Sequence, residues 1–174
     1  LGNTNNPKCK AMLAIRSPAA GVFREQTIIN MFDELKSKPG LTGPDAYHIP
    51  LKRIVECKSE LAQPLIGHST WGVTTYALLL EKQEVDPLLY HNCWTDEGQL
   101  IVNLIIDTKK TTIFDRIRQT IAHRNRNKKK TTPKIDHPDW REGLIKISYF
   151  NEDYLEYMYD NFTKPFRELI ENNL

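Results

Sequence analysis

The chain lacks most of the features that assign a function outright. Its 174 residues carry a formal charge of only +2, so bulk charge does not mark a nucleic-acid binder and any basic surface must be local. No apolar run approaches the roughly 18 residues that a membrane helix needs. The opening Leu-Gly-Asn-Thr-Asn-Asn has neither the basic nor the apolar region of a secretory leader. It also has no initiator Met, so the chain is expected to be one domain of a larger protein. There is no G-x-G-x-x-G and no G-K-[ST], which argues against a Rossmann dehydrogenase or a P-loop hydrolase. The three cysteines, Cys9, Cys57 and Cys93, are odd in number and too widely spaced for a zinc knuckle or a redox pair. They are expected to be free thiols in a reducing compartment, cytoplasmic or nuclear. No internal repeat is visible.

What remains is the composition of an ordinary globular protein, 40% hydrophobic and 26% charged. At this length one domain is expected: residues 9–174, behind a polar tail over 1–8. Residues 9–15 form a short apolar run that suits either strand or helix. Ser17 to Gly21 is a break. The spacing of Val22, Phe23, Ile28, Ile29, Phe32 and Leu35 predicts an amphipathic helix over 22–36, ended by Lys38-Pro39-Gly40. Further helices are expected over 69–82, 111–126 and from about 151 to 172. Residues 86–94 and 99–107 read as a strand pair around Thr95-Asp96-Glu97-Gly98. The near-continuous apolar run from Leu100 to Ile106 suits a central strand covered on both faces. Residues 143–150 make a last strand. The expected fold class is α/β, with a mixed β-sheet flanked by helices, because several strand pairs are joined by short turns.

One stretch carries recognisable chemistry. Between Pro44 and Glu60 the chain reads as two short strands and a turn, with Asp45 opening the first and Glu56-Cys57-Lys58 closing the second. Residues two apart on a strand share a face, so Glu56 and Lys58 should point together and Cys57 away from them. With Asp45 on the neighbouring strand, one pocket would hold two carboxylates and an ammonium. Carboxylate oxygens suit Mg²⁺ or Mn²⁺, and a lysine there could orient water or offset charge developing on a phosphate.

Pro44-Asp45, ten residues, and then Glu56-Cys57-Lys58 behind an apolar approach resembles the PD-(D/E)XK nuclease superfamily. That superfamily includes restriction endonucleases, Holliday-junction resolvases and the cap-snatching endonucleases of segmented RNA viruses. The resemblance spans residues 22–82 and implies a restriction-endonuclease-like core and a metal-dependent nuclease. It implies Asp45, Glu56 and Lys58 as catalytic residues, and Asp45 and Glu56 as ligands of Mg²⁺ or Mn²⁺. Glu25, on the preceding helix, is the position that could complete the metal site; alternatively it is a first-turn acid that suits the helix dipole. The superfamily also has a strand between that helix and the acidic strand. Residues 41–43 are too short for it, which leaves 9–15 as the candidate.

Two other stretches fit the same short pattern. Glu34-Leu35-Lys36 falls in the expected helix, where i and i+2 do not share a face. Asp107-Thr108-Lys109 follows an apolar run, with Asp96 eleven residues before it; it is a competing site, weakened because Asp96 lies in a turn. His68-Ser69-Thr70 has the His-x-Thr form of two-histidine phosphoesterases, but no second copy exists. Positive charge concentrates between His123 and Lys134, where Arg124, Arg126, Lys128, Lys129, Lys130 and Lys134 put six cations in twelve residues. These are the candidates for phosphate-backbone contact, set against an ordinary solvated loop. The leading expectation is thus a nuclease acting on DNA or RNA. The alternative is a non-catalytic α/β interaction domain that binds nucleic acid or a protein. No membrane contact is expected; a homodimer or other domains of a larger chain are further possible partners.

Overall fold

The computed structural model describes residues 6–15, 17–38, 44–61, 69–70, 87–110, 115, 119, 122, 134–135, 143–149, 168 and 172. The ambiguous run 9–15 is helical. Helix α1, Pro7–Ala14, begins where Asn6 accepts the Lys8 N–H at 3.0 Å and Pro7 fills the first helical position. Residues 7 and 8 therefore belong to a helix, not to a tail. Helix α2 runs Pro18–Met31, earlier at both ends than the apolar spacing predicts. Ser17-Pro18 is a cap rather than a break: the Ser17 hydroxyl accepts the Ala20 N–H at 3.1 Å.

The helix stops at Met31 because the chain is needed elsewhere. A turn over Asp33-Glu34 leads into strand β1, Leu35–Ser37, whose backbone pairs with β2, Ala46–His48. Leu35 is buried by this pairing. A strand thus does lie between the helix and the acidic strand, at 35–37 instead of 9–15. Strand β3, Arg53–Leu61, pairs antiparallel with β2. It continues three residues past Lys58, where the sequence reads the second strand as closing. Strand β5, Leu88–Trp94, lies parallel to β3, and β6, Leu100–Asp107, returns antiparallel to β5. Strand β8, Leu144–Tyr149, completes a six-stranded sheet in the order β1-β2-β3-β5-β6-β8. The sheet is mixed, as expected, and the class is α/β.

Both β5 and β6 are buried along their whole length, the pattern of central strands with both faces covered. Ser69–Thr70 and Lys134–Ile135 form a small second pair, β4 with β7, so residues 69–70 are extended rather than helical. Asp115, Gln119 and Ala122, spaced i, i+4, i+7, are helical and exposed, one solvent face of the helix expected there. The other residues of that expected helix, residues 71–82 and most of the expected C-terminal helix lie outside the described residues. Among the described residues no helix is long and apolar enough to cross a membrane.

Arg24 fixes α2 on the sheet. It is buried, with Nη1 donating to the carbonyls of Leu13 and Ile15 at 2.9 Å and Nε donating to Ser59 Oγ at 3.3 Å. Ser59 donates in turn to the Gly21 carbonyl at 3.3 Å. One guanidinium therefore ties the end of α1, the first turns of α2 and the far half of β3 together. A buried charge is tolerated only when its donors are used in this way. The consequence is that Glu25, the next residue, is held beside β3.

Candidate active site

The site forms just before β2 begins. Asp45 stands one residue before β2, and its N–H donates to the Val55 carbonyl at 3.0 Å. Its Oδ2 accepts the Cys57 N–H at 2.7 Å. The side chain thus takes over the ladder bond that β2 would have supplied had it continued. Position and orientation of this carboxylate are set by backbone, which leaves Oδ1 as a defined acceptor.

Glu56 and Lys58 share the face of β3 opposite Cys57. Lys58 Nζ lies 2.6 Å from Glu56 Oε1, and Glu56 is only 6% exposed. Cys57 points the other way, toward α2. It is fully buried, and its thiol accepts from Asn92 Nδ2 at 3.5 Å and lies 3.9 Å from the Glu25 carbonyl. The strand alternation read from sequence holds here.

Glu25 belongs to the same electrostatic group. Burial raises its pKa from 4.5 to about 7, and the carboxylates of Asp45 and Glu56 push the same way. The Lys58 ammonium opposes them, with a smaller contribution from Arg24. Burial also raises Asp45, against the Cys57 N–H and Lys58, which favour its ionised form. For Lys58 burial works against the ammonium, but Glu56, Glu25 and Asp45 outweigh it and lift its pKa above the ordinary lysine value. Three carboxylates therefore gather around one lysine. Burial, reinforced at Glu25 by the neighbouring carboxylates, is what shifts that carboxyl into the neutral range, and such shifts concentrate at functional sites.

The donor set consists of carboxylate oxygens, which suits a hard cation such as Mg²⁺ or Mn²⁺ rather than zinc or copper. Among the described residues no group of three or more His, Cys, Asp or Glu is arranged to hold a metal ion as it stands. Glu56 is turned onto Lys58, so a cation would compete with that ion pair for Oε1.

Neither rival stretch makes a comparable cluster. Asp96 is exposed in the β5–β6 turn, and Asp107 ends β6 at the opposite end, roughly 25 Å away at strand rise. Asp107 accepts from Arg53 Nη2 at 2.8 Å and caps the 3-10 turn Thr108–Lys110 by accepting the Lys109 N–H at 3.1 Å. Glu34 lies in the turn before β1, where its carboxylate accepts the Tyr90 hydroxyl at 3.2 Å. Of the basic candidates, Arg124, Arg126, Lys128, Lys129 and Lys130 lie outside the described residues, and Lys134 is in β7.

Sequence reasoning missed His91. The β3–β5 register puts it directly beside Lys58 on the same face, fully buried. Nothing local signals this, because parallel neighbours come together only through a long crossover. No known protein-family model matches the chain, and neither does any curated protein.

Proposed function

We propose that this protein is a divalent-metal-dependent nuclease of the PD-(D/E)XK kind. The observation that carries the reading is that Glu56 meets Lys58 at 2.6 Å on β3 next to the Asp45 carboxylate, which the Cys57 N–H fixes at 2.7 Å, with Glu25 in electrostatic reach of all three. Strand β1 between α2 and β2 supports it, since the superfamily core has a strand there. Asp45, Glu56 and Glu25 would hold Mg²⁺ or Mn²⁺, which supplies Lewis-acid polarisation of a phosphoryl oxygen when bound. Asp45 is fixed by its bond from Cys57 and presents its other oxygen without reorganisation. Lys58 stays protonated across the working pH range, held by the surrounding carboxylates. It would place a fixed positive charge where negative charge grows on the attacked phosphate. Glu56, turned from Lys58, would be available to the cation, and the lysine would be available to the substrate.

The test is a thermal melt with and without millimolar Mn²⁺. A ligand that binds only the folded state stabilises by about 2.7 kcal/mol at a hundredfold excess over Kd, a rise of roughly 5–10 °C for a chain of this size. Asp45→Asn should abolish the rise. Asparagine can still accept the Cys57 N–H, so the loss reports charge rather than collapse. Wild type that shows no shift with Mn²⁺ or Mg²⁺, and no cleavage of labelled DNA or RNA, would leave a non-catalytic interaction domain as the reading.

A further inference from the structure

Beside the carboxylates, the same face of the sheet carries a row of different chemistry. Lys36 on β1 is in register with Tyr47 on β2, and Tyr47 is in register with Ile54 on β3. Residues directly opposite one another share a face. Ile54 precedes Glu56 by two positions, so this row lies on the face of Glu56 and Lys58, roughly 6–7 Å along the strand. The outer half of this face is open: Tyr47 and Ile54 are half-buried and Lys36 is exposed. Exposed Lys38 lies two positions beyond Lys36, and its N–H donates to the Asp45 carbonyl at 3.1 Å. An aromatic ring with an aliphatic neighbour and two cations thus borders the carboxylate site on its open side.

We propose that this row binds single-stranded nucleic acid, with one base stacked on Tyr47 against Ile54 and the adjoining phosphates held by Lys36 and Lys38. Stacking on an aromatic with lysines along the backbone is the sequence-tolerant way to hold a single strand. A duplex base already has both faces covered, so the platform selects unpaired substrate. The lysines also offset the negative charge of Asp45, Glu56 and Glu25, which would otherwise repel the phosphate chain. The inference rests on the nuclease reading for where the scissile phosphate sits, and it names the substrate class that reading leaves open. It also moves the phosphate contacts to residues next to the chemistry.

The test is made without metal, so that binding is read apart from cleavage. Fluorescence anisotropy in EDTA would follow a labelled short oligouridylate, the matching oligothymidylate and a duplex of equal length. The single strands should bind more tightly than the duplex. Tyr47→Ala should weaken single-strand binding about tenfold, while Tyr47→Phe, which keeps the ring, should retain it. Removing Lys36 and Lys38 together should flatten the dependence of log K on log salt by about one to two. Both lysines are exposed, so that variant reports on binding even if Tyr47→Ala folds poorly. A 2-aminopurine probe should be quenched by wild type and by Tyr47→Phe, and not by Tyr47→Leu. Equal affinity for duplex, or unchanged binding and quenching in the alanine and leucine variants, would overturn the platform. A Tyr47-dependent single-strand binder with no Mn²⁺ shift keeps the platform and loses the nuclease. A Mn²⁺-stabilised nuclease whose binding ignores Tyr47 does the reverse.

Discussion

Glu56-Cys57-Lys58 and Asp107-Thr108-Lys109 share one pattern, an acid and a lysine two residues apart after an apolar run, and the fold treats them in opposite ways. The first lies inside a nine-residue strand. There the two-residue period puts acid and lysine on one face, 2.6 Å apart. The second straddles the end of β6, where the chain tightens into a 3-10 turn. The two-residue period is lost at that point. Lys109 is exposed, and it is its backbone N–H that meets Asp107. The acid is spent on Arg53 instead, whose guanidinium holds the Asp107 carboxyl below its ordinary range despite burial. A motif of this kind therefore has chemical content only where the strand runs through both of its ends.

The largest expected consequence separates the two lysines. Lys58→Ala should cut metal-dependent cleavage of a labelled oligonucleotide at least about a hundredfold, the loss typical of a preorganised charge at the transition state. Lys109→Ala should leave the rate unchanged. The reverse ranking would move the site to β6 and would break the comparison.

Much of this contrast was legible in the sequence, and the part that was not has a common cause. Asp45, Glu56 and Lys58 lie within one hairpin, so local alternation was enough to bring them together. The β5–β6 pair and its turn were equally local. Helix α2, in contrast, was misplaced at both ends. Its start depends on a Ser17 side-chain bond in a stretch that reads as a break, and its end on β1 pairing with a strand ten residues away. The pairing overrode the apolar spacing that carried the expected helix through Leu35. The extension of β3 to Leu61 is likewise set by β5, its parallel neighbour across a long connection. Glu25 was visible as a candidate, but its raised pKa needs Arg24, Ser59 and the Leu13 carbonyl to hold α2 against the sheet. No window of sequence contains that arrangement.

The next effect in size tests Glu25. A carboxyl whose folded pKa is about 7 against an ordinary 4.5 holds its proton more tightly folded than unfolded. Its contribution to stability is complete below about pH 4.5 and is lost as pH rises through about 7, up to about 3 kcal/mol at most. Glu25→Gln should remove that dependence, so the difference in melting temperature between wild type and variant should change across pH 4.5–8. A cation binds the ionised carboxylate, so the Mn²⁺ shift of wild type should be larger at pH 8 than at pH 6. In Glu25→Gln the shift should be smaller and flatter with pH. A pH-independent shift in wild type would place Glu25 outside the metal site. Asp107 cannot produce this behaviour, because its pKa is displaced in the other direction.

The smallest effect concerns the ion pair that occupies the rival stretch. Arg53 and Asp107 are 22% and 12% exposed at their side chains and meet at 2.8 Å, so the pair is partly shielded from water. Burial costs the two charges part of what their attraction returns, and pairs near the surface contribute about 1 kcal/mol or less. Arg53→Ala should therefore lower the melting temperature by roughly 2–4 °C. Because Asp107 is held below its ordinary pKa, its part of the stability is present above about pH 4 and disappears as the carboxyl protonates in acid. The penalty of Arg53→Ala should accordingly shrink below pH 3. Neither the Mn²⁺ shift nor the cleavage rate should change, since Arg53 side chain and Lys58 lie on opposite faces of β3. A variant that lost the metal shift as well would show that the two acid-x-lysine stretches are coupled through that strand.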